Sequence, residues 1–206
     1  MEAIAKIGGQ ADLFGEPQLP GFAQAEQFLT TREEQMLIAH IAGVPLTPFR
    51  FQQWTGHRLT CSFGWSYDFE NGAFARAEPM PEWLNSLRLR AAYFAGLDAS
   101  ELVQALVTRY DPGAGIGWHK DRPVFEHVVG ISLGQAATLR LRRRTPTGFS
   151  RFNAALASRS IYHLSGEARH DWEHGIAAMD ATRWSITFRS LSAKAKRMIE
   201  QDEKKS

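Results

Sequence analysis

A single cysteine, Cys61, in a chain of 206 residues excludes an internal disulfide framework and a cysteine-based zinc site. Long apolar runs are missing as well, and nothing approaches the roughly 18 residues of a membrane-spanning helix. The opening Met1-Glu2-Ala3-Ile4-Ala5-Lys6 has no basic head followed by an apolar stretch. No secretory signal and no membrane partner are therefore expected, and the lone cysteine suits a reducing, cytoplasmic setting. Neither sign of charge is in excess, because 24 Lys+Arg against 22 Asp+Glu leave only +2. That is too little to announce a nucleic-acid partner through bulk electrostatics, though a local basic patch can still do so. Internal repeats and low-complexity linkers are also lacking, which favours one domain. What is present is a 44% apolar content, ordinary for a globular chain with a sizeable core.

The front of the chain reads as helical. Residues 1–29 are rich in glycine, proline and small side chains and are expected to form an irregular arm. Thr31 and Glu34 suit a capping box opening a helix through Met36, Leu37 and Ile41, ended by Gly43 and Pro45. Pro79 and Pro81 introduce a second helix to Phe94, with Trp83, Leu84, Leu87 and Ala91 on its apolar face and Gly96 as its stop. Between the two helices lies a stretch of aromatics and arginine, from Phe49 through Arg58, Trp65 and Tyr67 to Phe69, strand-like from Ser62 onward.

Past Ser100 the texture changes to short apolar or alternating runs: 102–110, 127–133, 138–144, 160–164, 172–176 and 183–191. Regular short strands behind a helical front predict an α+β fold, an antiparallel sandwich or jelly roll buttressed by N-terminal helices. The charged tail from Lys194 is expected to be a frayed helix or disordered.

Two stretches carry chemistry. Tyr110-Asp111-Pro112-Gly113-Ala114-Gly115-Ile116-Gly117-Trp118-His119-Lys120-Asp121 runs from a strand end through a glycine-rich turn to an imidazole and a carboxylate two residues apart. In extended chain that spacing puts both on one face, where they can bind one metal ion. Trp118 beside them reads as a core residue. Arg183-Trp184-Ser185-Ile186-Thr187-Phe188-Arg189, as a strand, segregates Trp184, Ile186 and Phe188 from Arg183, Ser185, Thr187 and Arg189. If the aromatic face packs on a helix, the arginines point inward and need an anion. An edge strand with its arginines in water satisfies the same alternation. A third ligand is sought among the later histidines. His127 follows the pair too closely, His170 sits in a turn, and His163 and His174 lie in strand-like runs. His174 is preferred because it shortly precedes the arginine strand. Two histidines and a carboxylate form the facial triad of non-haem Fe(II) oxygenases.

With these pieces the sequence resembles the AlkB family of Fe(II)- and 2-oxoglutarate-dependent dioxygenases, over roughly Phe49 to Leu191. The matching stretches are 109–113, 119–121, 129–134, 174–176 and 183–189. The resemblance implies a double-stranded β-helix core at 102–191, within one dioxygenase domain at 30–192, a substrate lid at about 49–78, and a separate tail at 193–206. It implies iron ligands His119, Asp121 and His174, with Tyr110 and Arg183 on the 2-oxoglutarate carboxylates and Arg189 closing that pocket. The reaction it implies uses dioxygen to dealkylate damaged bases in DNA or RNA oxidatively, releasing succinate, CO2 and formaldehyde. A monomer is expected.

Arg58, Trp65 and Tyr67 are the expected contacts to base or phosphate, each alternatively part of a hydrophobic strand pair. Arg140, Arg142 and Arg144 alternate onto one face and suit either a phosphate backbone or a solvated edge strand. Three departures from the family stand out. Thr108 and Ser185 occupy positions where asparagine is usual, and both keep a hydrogen-bonding side chain beside the co-substrate. Arg122 and Pro123 follow the metal pair where base-repairing members often carry an acid, so base preference does not transfer. A relative acting on protein side chains or small molecules, and a non-catalytic metal-binding jelly roll, are the competing readings.

Overall fold

The computed structural model describes residues 19–51, 54–67 and 74–203. In chain order the elements are β1 (Phe22–Ala25), α1 (Thr31–Ala42), β2 (Thr47–Phe51), β3 (Trp54–Phe63), β4 (Trp65–Tyr67), β5 (Phe74–Arg76) and α2 (Glu82–Ala95). A short 3-10 turn (Ala99–Glu101) leads to β6 (Leu102–Tyr110), β7 (Ile116–His119), β8 (Phe125–Gly134), β9 (Ala137–Thr145) and β10 (Gly148–Leu156). They are followed by β11 (Ile161–Leu164), α3 (Gly166–His170), β12 (Glu173–Ile176), β13 (Arg183–Leu191) and α4 (Ala193–Glu203).

The strands form a seven-stranded sheet, β1-β11-β8-β13-β6-β3-β2, facing a four-stranded sheet, β10-β9-β12-β7, with a small β4–β5 hairpin apart. Every pairing is antiparallel. This is the jelly roll buttressed by helices. Alternation divides the large sheet into two environments. Its outer face, including Val129, Ile131, Ile186 and Phe188, packs under Leu37 and Ile41 of α1 and Leu84, Leu87 and Ala91 of α2. Its inner face joins Leu139 and Leu141 of β9 in a second core between the sheets. Fully burying a side chain such as Phe188 contributes about 1.5–3 kcal/mol.

β13 lies at the centre of the large sheet between β6 and β8, so its arginines are not on an edge. β9 is likewise internal, between β10 and β12, which corrects the edge-strand reading of Arg140, Arg142 and Arg144. The N-terminal arm is not wholly irregular, because Phe22–Ala25 pairs with β11. The tail is a helix through Glu203, and its Ala195 packs with Phe125 and Leu191. α1 is capped one residue earlier than the spacing predicts: Thr30 Oγ1 accepts from the Glu33 N–H, and Glu33 reaches back to Thr30 N. Glu34 is thereby released for another task. It is buried and accepts from Gly134 N at 2.8 Å, Ser158 Oγ and Arg159 at 3.1 Å, tying α1 to the large sheet.

Among the described residues no helix is long and apolar enough to cross a membrane.

Candidate active site

The glycine-rich turn between β6 and β7 packs against residues 176–179, with Gly113 N donating to Met179 O. Gly113 has a φ of +86°, and a Cβ on Gly115 would collide with the backbone of Ile176–Ala178. This close approach sets β7 beside β12 and brings His119 directly opposite His174. The two rings lie 4.3 Å apart, and one ligand atom from each of His119, Asp121 and His174 falls within 4.8 Å of the others.

His119 Nδ1 lies 2.9 Å from the Gly117 carbonyl, a contact that requires Nδ1 to carry the proton and leaves Nε2 with its lone pair. His174 Nε2 stands 3.4 Å from Asp121 Oδ2. Asp121 Oδ1 accepts from Nε of Arg189 at 2.8 Å, and Gln104 accepts from the same guanidinium at 3.0 Å. Burial pushes the His174 imidazole down to about 3, helped by His119, and holds His119 below its ordinary value against the pull of Asp121. For Asp121 burial acts upward, but Arg189, His174 and His119 outweigh it and leave the carboxyl well below the usual range. The cluster is thus two neutral imidazoles and a carboxylate, a donor set that suits Fe(II). Asp121 Oδ2 is buried without a hydrogen-bond partner, the condition a bound cation would relieve.

Deeper in the same cavity, Arg183 is 1% exposed, which settles its placement against the solvent-facing alternative. One terminal nitrogen donates to Ser132 Oγ at 3.2 Å, while Nε and the other terminal nitrogen have no partner. The Tyr110 ring lies 5.2 Å away, directly across from Arg183 in register. Thr108 and Ser185 face each other two register positions further along, both buried and both lining the cavity. A guanidinium fork flanked by a phenol and hydroxyls has the chemistry to receive one end of a small dicarboxylate. Tyr162 closes this end. Its ring lies against Gly130, where any Cβ would displace it.

The cavity measures about 1400 Å³, and Arg58 and Tyr67 line it. Trp65 does not border it, being stacked on Phe74 at 4.8 Å with Arg76 at 5.1 Å. Trp118 is no core residue either: it borders the cavity at β7 and lies against Arg140 and Arg142 at 5.1 and 4.3 Å. From there the arginines continue to Phe149, surrounded by Arg142, Arg144 and Arg151 at 4.6, 5.4 and 5.7 Å.

Gln104, Ser132, Tyr162 and Arg169 also line or support the site and escaped the sequence reading. Gln104 was within reach, since it shares the alternation of Thr108 and Tyr110 on β6. His163 lies elsewhere, 3.0 Å from His127 on neighbouring strands.

Residues 24–189 match the 2OG-Fe(II) oxygenase superfamily. Among curated proteins, the chain is similar to the tRNA (carboxymethyluridine(34)-5-O)-methyltransferase ALKBH8 of Mus musculus, 28% identical over 163 residues. Its counterpart from Xenopus tropicalis is 29% identical over 161 residues. Each alignment takes in 76% of this chain but only 24% and 25% of those proteins, so the chain spans about a quarter of their length. Among solved structures, OsALKBH1 superposes with a TM-score of 0.64 at 17% identity, covering 85% of this chain and 99% of that one. A Pseudomonas putida prolyl-4-hydroxylase gives 0.55 at 14%, covering 84% and 94%. At such identities these two likenesses speak for the fold.

Proposed function

Because the chain belongs to the 2OG-Fe(II) oxygenase superfamily and is AlkB-like within it, we propose that it oxidatively dealkylates bases in nucleic acid. The family uses Fe(II), 2-oxoglutarate and dioxygen. Bound iron and co-substrate supply the oxidation: one oxygen atom of O2 goes to succinate as CO2 leaves, and the other is inserted into a substrate C–H bond. On an N-methyl group the product is a hemiaminal, which breaks its C–N bond to return the N–H and release formaldehyde.

The residues divide the remaining work. His119, Asp121 and His174 are the metal ligands in this reading, with Arg189 and Gln104 holding Asp121 in place as its counter-charge. Arg183 binds the far carboxylate of 2-oxoglutarate, supported by Tyr110, Thr108, Ser185 and Ser132. Tyr162 excludes water from that end of the cavity.

The observation that carries the nucleic-acid reading is the arginine and aromatic face running from Trp118, next to His119, to Phe149. Guanidinium groups set beside rings suit a phosphate backbone with unstacked bases. A base must leave its stack to enter the cavity. Curated relatives named for tRNA modification agree with such a partner. The test is formaldehyde release from single-stranded oligonucleotides bearing methylated bases, with iron, ascorbate and 2-oxoglutarate. Succinate formation that no oligonucleotide couples to formaldehyde would reject this substrate class in favour of a protein or small-molecule hydroxylase.

A further inference from the structure

The charge lining the cavity is lopsided. Arg58, Lys120, Arg122, Arg169, Arg183 and Arg189 border it, and among the described residues Asp121 is the one carboxylate that does. Most of these cations are engaged. Arg189 holds Asp121, Arg169 donates to the carbonyls of Arg122 and Phe125, and Lys120 donates to that of His170. Arg183 faces the expected co-substrate.

Arg58 differs. It is 8% exposed, its guanidinium lies 3.7 Å over the Phe49 ring, and it has no hydrogen-bond or carboxylate partner among the described residues. It lines the same cavity as Tyr110, His119, Asp121, His174 and Arg189. A guanidinium offers five donors and no acceptor. Whatever enters beside it must bring oxygen or nitrogen lone pairs and must not bring positive charge.

Alkylated bases fall into two groups by this criterion. Methylation at N3 of cytosine or N1 of adenine leaves a ring that is cationic near neutral pH and presents an amino donor next to the alkylated nitrogen. Methylation at N3 of thymine or uracil, or at N1 of guanine, leaves a neutral lactam with a carbonyl oxygen, O4 or O6, where the cationic bases have that amino group. A cationic ring would meet Arg58 with no spare carboxylate among the described lining residues to offset the repulsion, because Asp121 is engaged by Arg189. We propose that this enzyme prefers the neutral lactam lesions, N3-alkylated thymine or uracil and N1-alkylated guanine, and that Arg58 selects them by donating to the carbonyl, O4 or O6, that stands where the cationic bases carry their amino group. The assignment rests on the nucleic-acid reading above and narrows it.

Matched oligonucleotides isolate the effect: N3-methylthymine against N3-methylcytosine, and N1-methylguanine against N1-methyladenine, each pair with the methyl at the same ring position. Formaldehyde release is read as kcat/KM and binding as fluorescence anisotropy. The wild-type protein should favour the lactam of each pair by on the order of tenfold, within the range of a well-made side-chain contact to a base edge. Arg58→Gln should bring the ratio towards one. Arg58→Lys should keep the bias against cationic bases while lowering turnover of the lactams, since it retains charge without the fork. Equal or better turnover of N3-methylcytosine and N1-methyladenine by the wild-type protein overturns the proposal and leaves the dealkylase reading standing, and this arm depends on no variant. Formaldehyde from none of the four, with succinate still formed, removes both.

Discussion

Arg183 carries the co-substrate assignment, because two of its three guanidinium nitrogens are buried without a partner. A charge in that condition is costly unless an anion meets it. Arg183→Ala should raise the 2-oxoglutarate KM by on the order of 10- to 100-fold, the span of a lost charged hydrogen bond, and Arg183→Lys should recover part of it. An unchanged KM in Arg183→Ala would place the dicarboxylate elsewhere. A second residue-scale expectation concerns His163, which burial, and then His127, pushes down to about 4 from an ordinary 6.5. Between those values the unfolded chain binds a proton that the folded chain refuses, so stability falls as pH drops from about 6.5 to about 4 and is untouched above. Urea unfolding across that interval should show a shallower fall for His163→Leu than for wild type, and parallel curves would contradict the assignment.

At the scale of the element, α1 is fastened to the large sheet by Glu34, whose carboxylate meets a backbone amide, a hydroxyl and a guanidinium. Glu34→Ala strands those donors in a buried place and should cost about 1–3 kcal/mol. Denaturant midpoints measure it, and a change below a few tenths would mean that water satisfies the donors. This contact was hidden in the sequence, where Thr31 and Glu34 imitate a capping box that Thr30 and Glu33 form one residue earlier. Elements with strong alternation were legible: β6 and β13 begin and end where the pattern of apolar and polar residues says. β10 was not, because Asn153 and two alanines in Gly148–Leu156 blur the period, and β1 was lost in a glycine-rich arm. His119 and Asp121 share a face because a spacing of two fits extended chain, whereas alternation alone left Arg183 open to an edge strand, and only the pairing of β13 between β6 and β8 places it inside. Trp65 lies off the cavity against Phe74, and a three-residue strand says nothing in sequence about what lies beneath it.

For the whole molecule, a net charge of +2 conceals a sidedness that composition cannot report. Arg140, Arg142, Arg144 and Arg151 share the outer face of the small sheet, with Glu173 pairing only Arg142 at 2.7 Å. Oligonucleotide affinity should therefore fall steeply with salt. Replacing Arg140, Arg144 and Arg151 by Gln should flatten log K against log[salt] by about 1 for each phosphate contact removed. An unaltered slope would mean that the strand runs elsewhere. The small sheet has a further property. Among the described residues β7 is its last strand, joined only to β12, and its His119 faces His174 across that single seam. An ion gripped by both rings would act as a clasp on an otherwise frayable margin. Chelation should then speed amide hydrogen exchange at 116–119 while 183–191 stays protected, so that one atom of metal governs how firmly the rim of the catalytic chamber is shut.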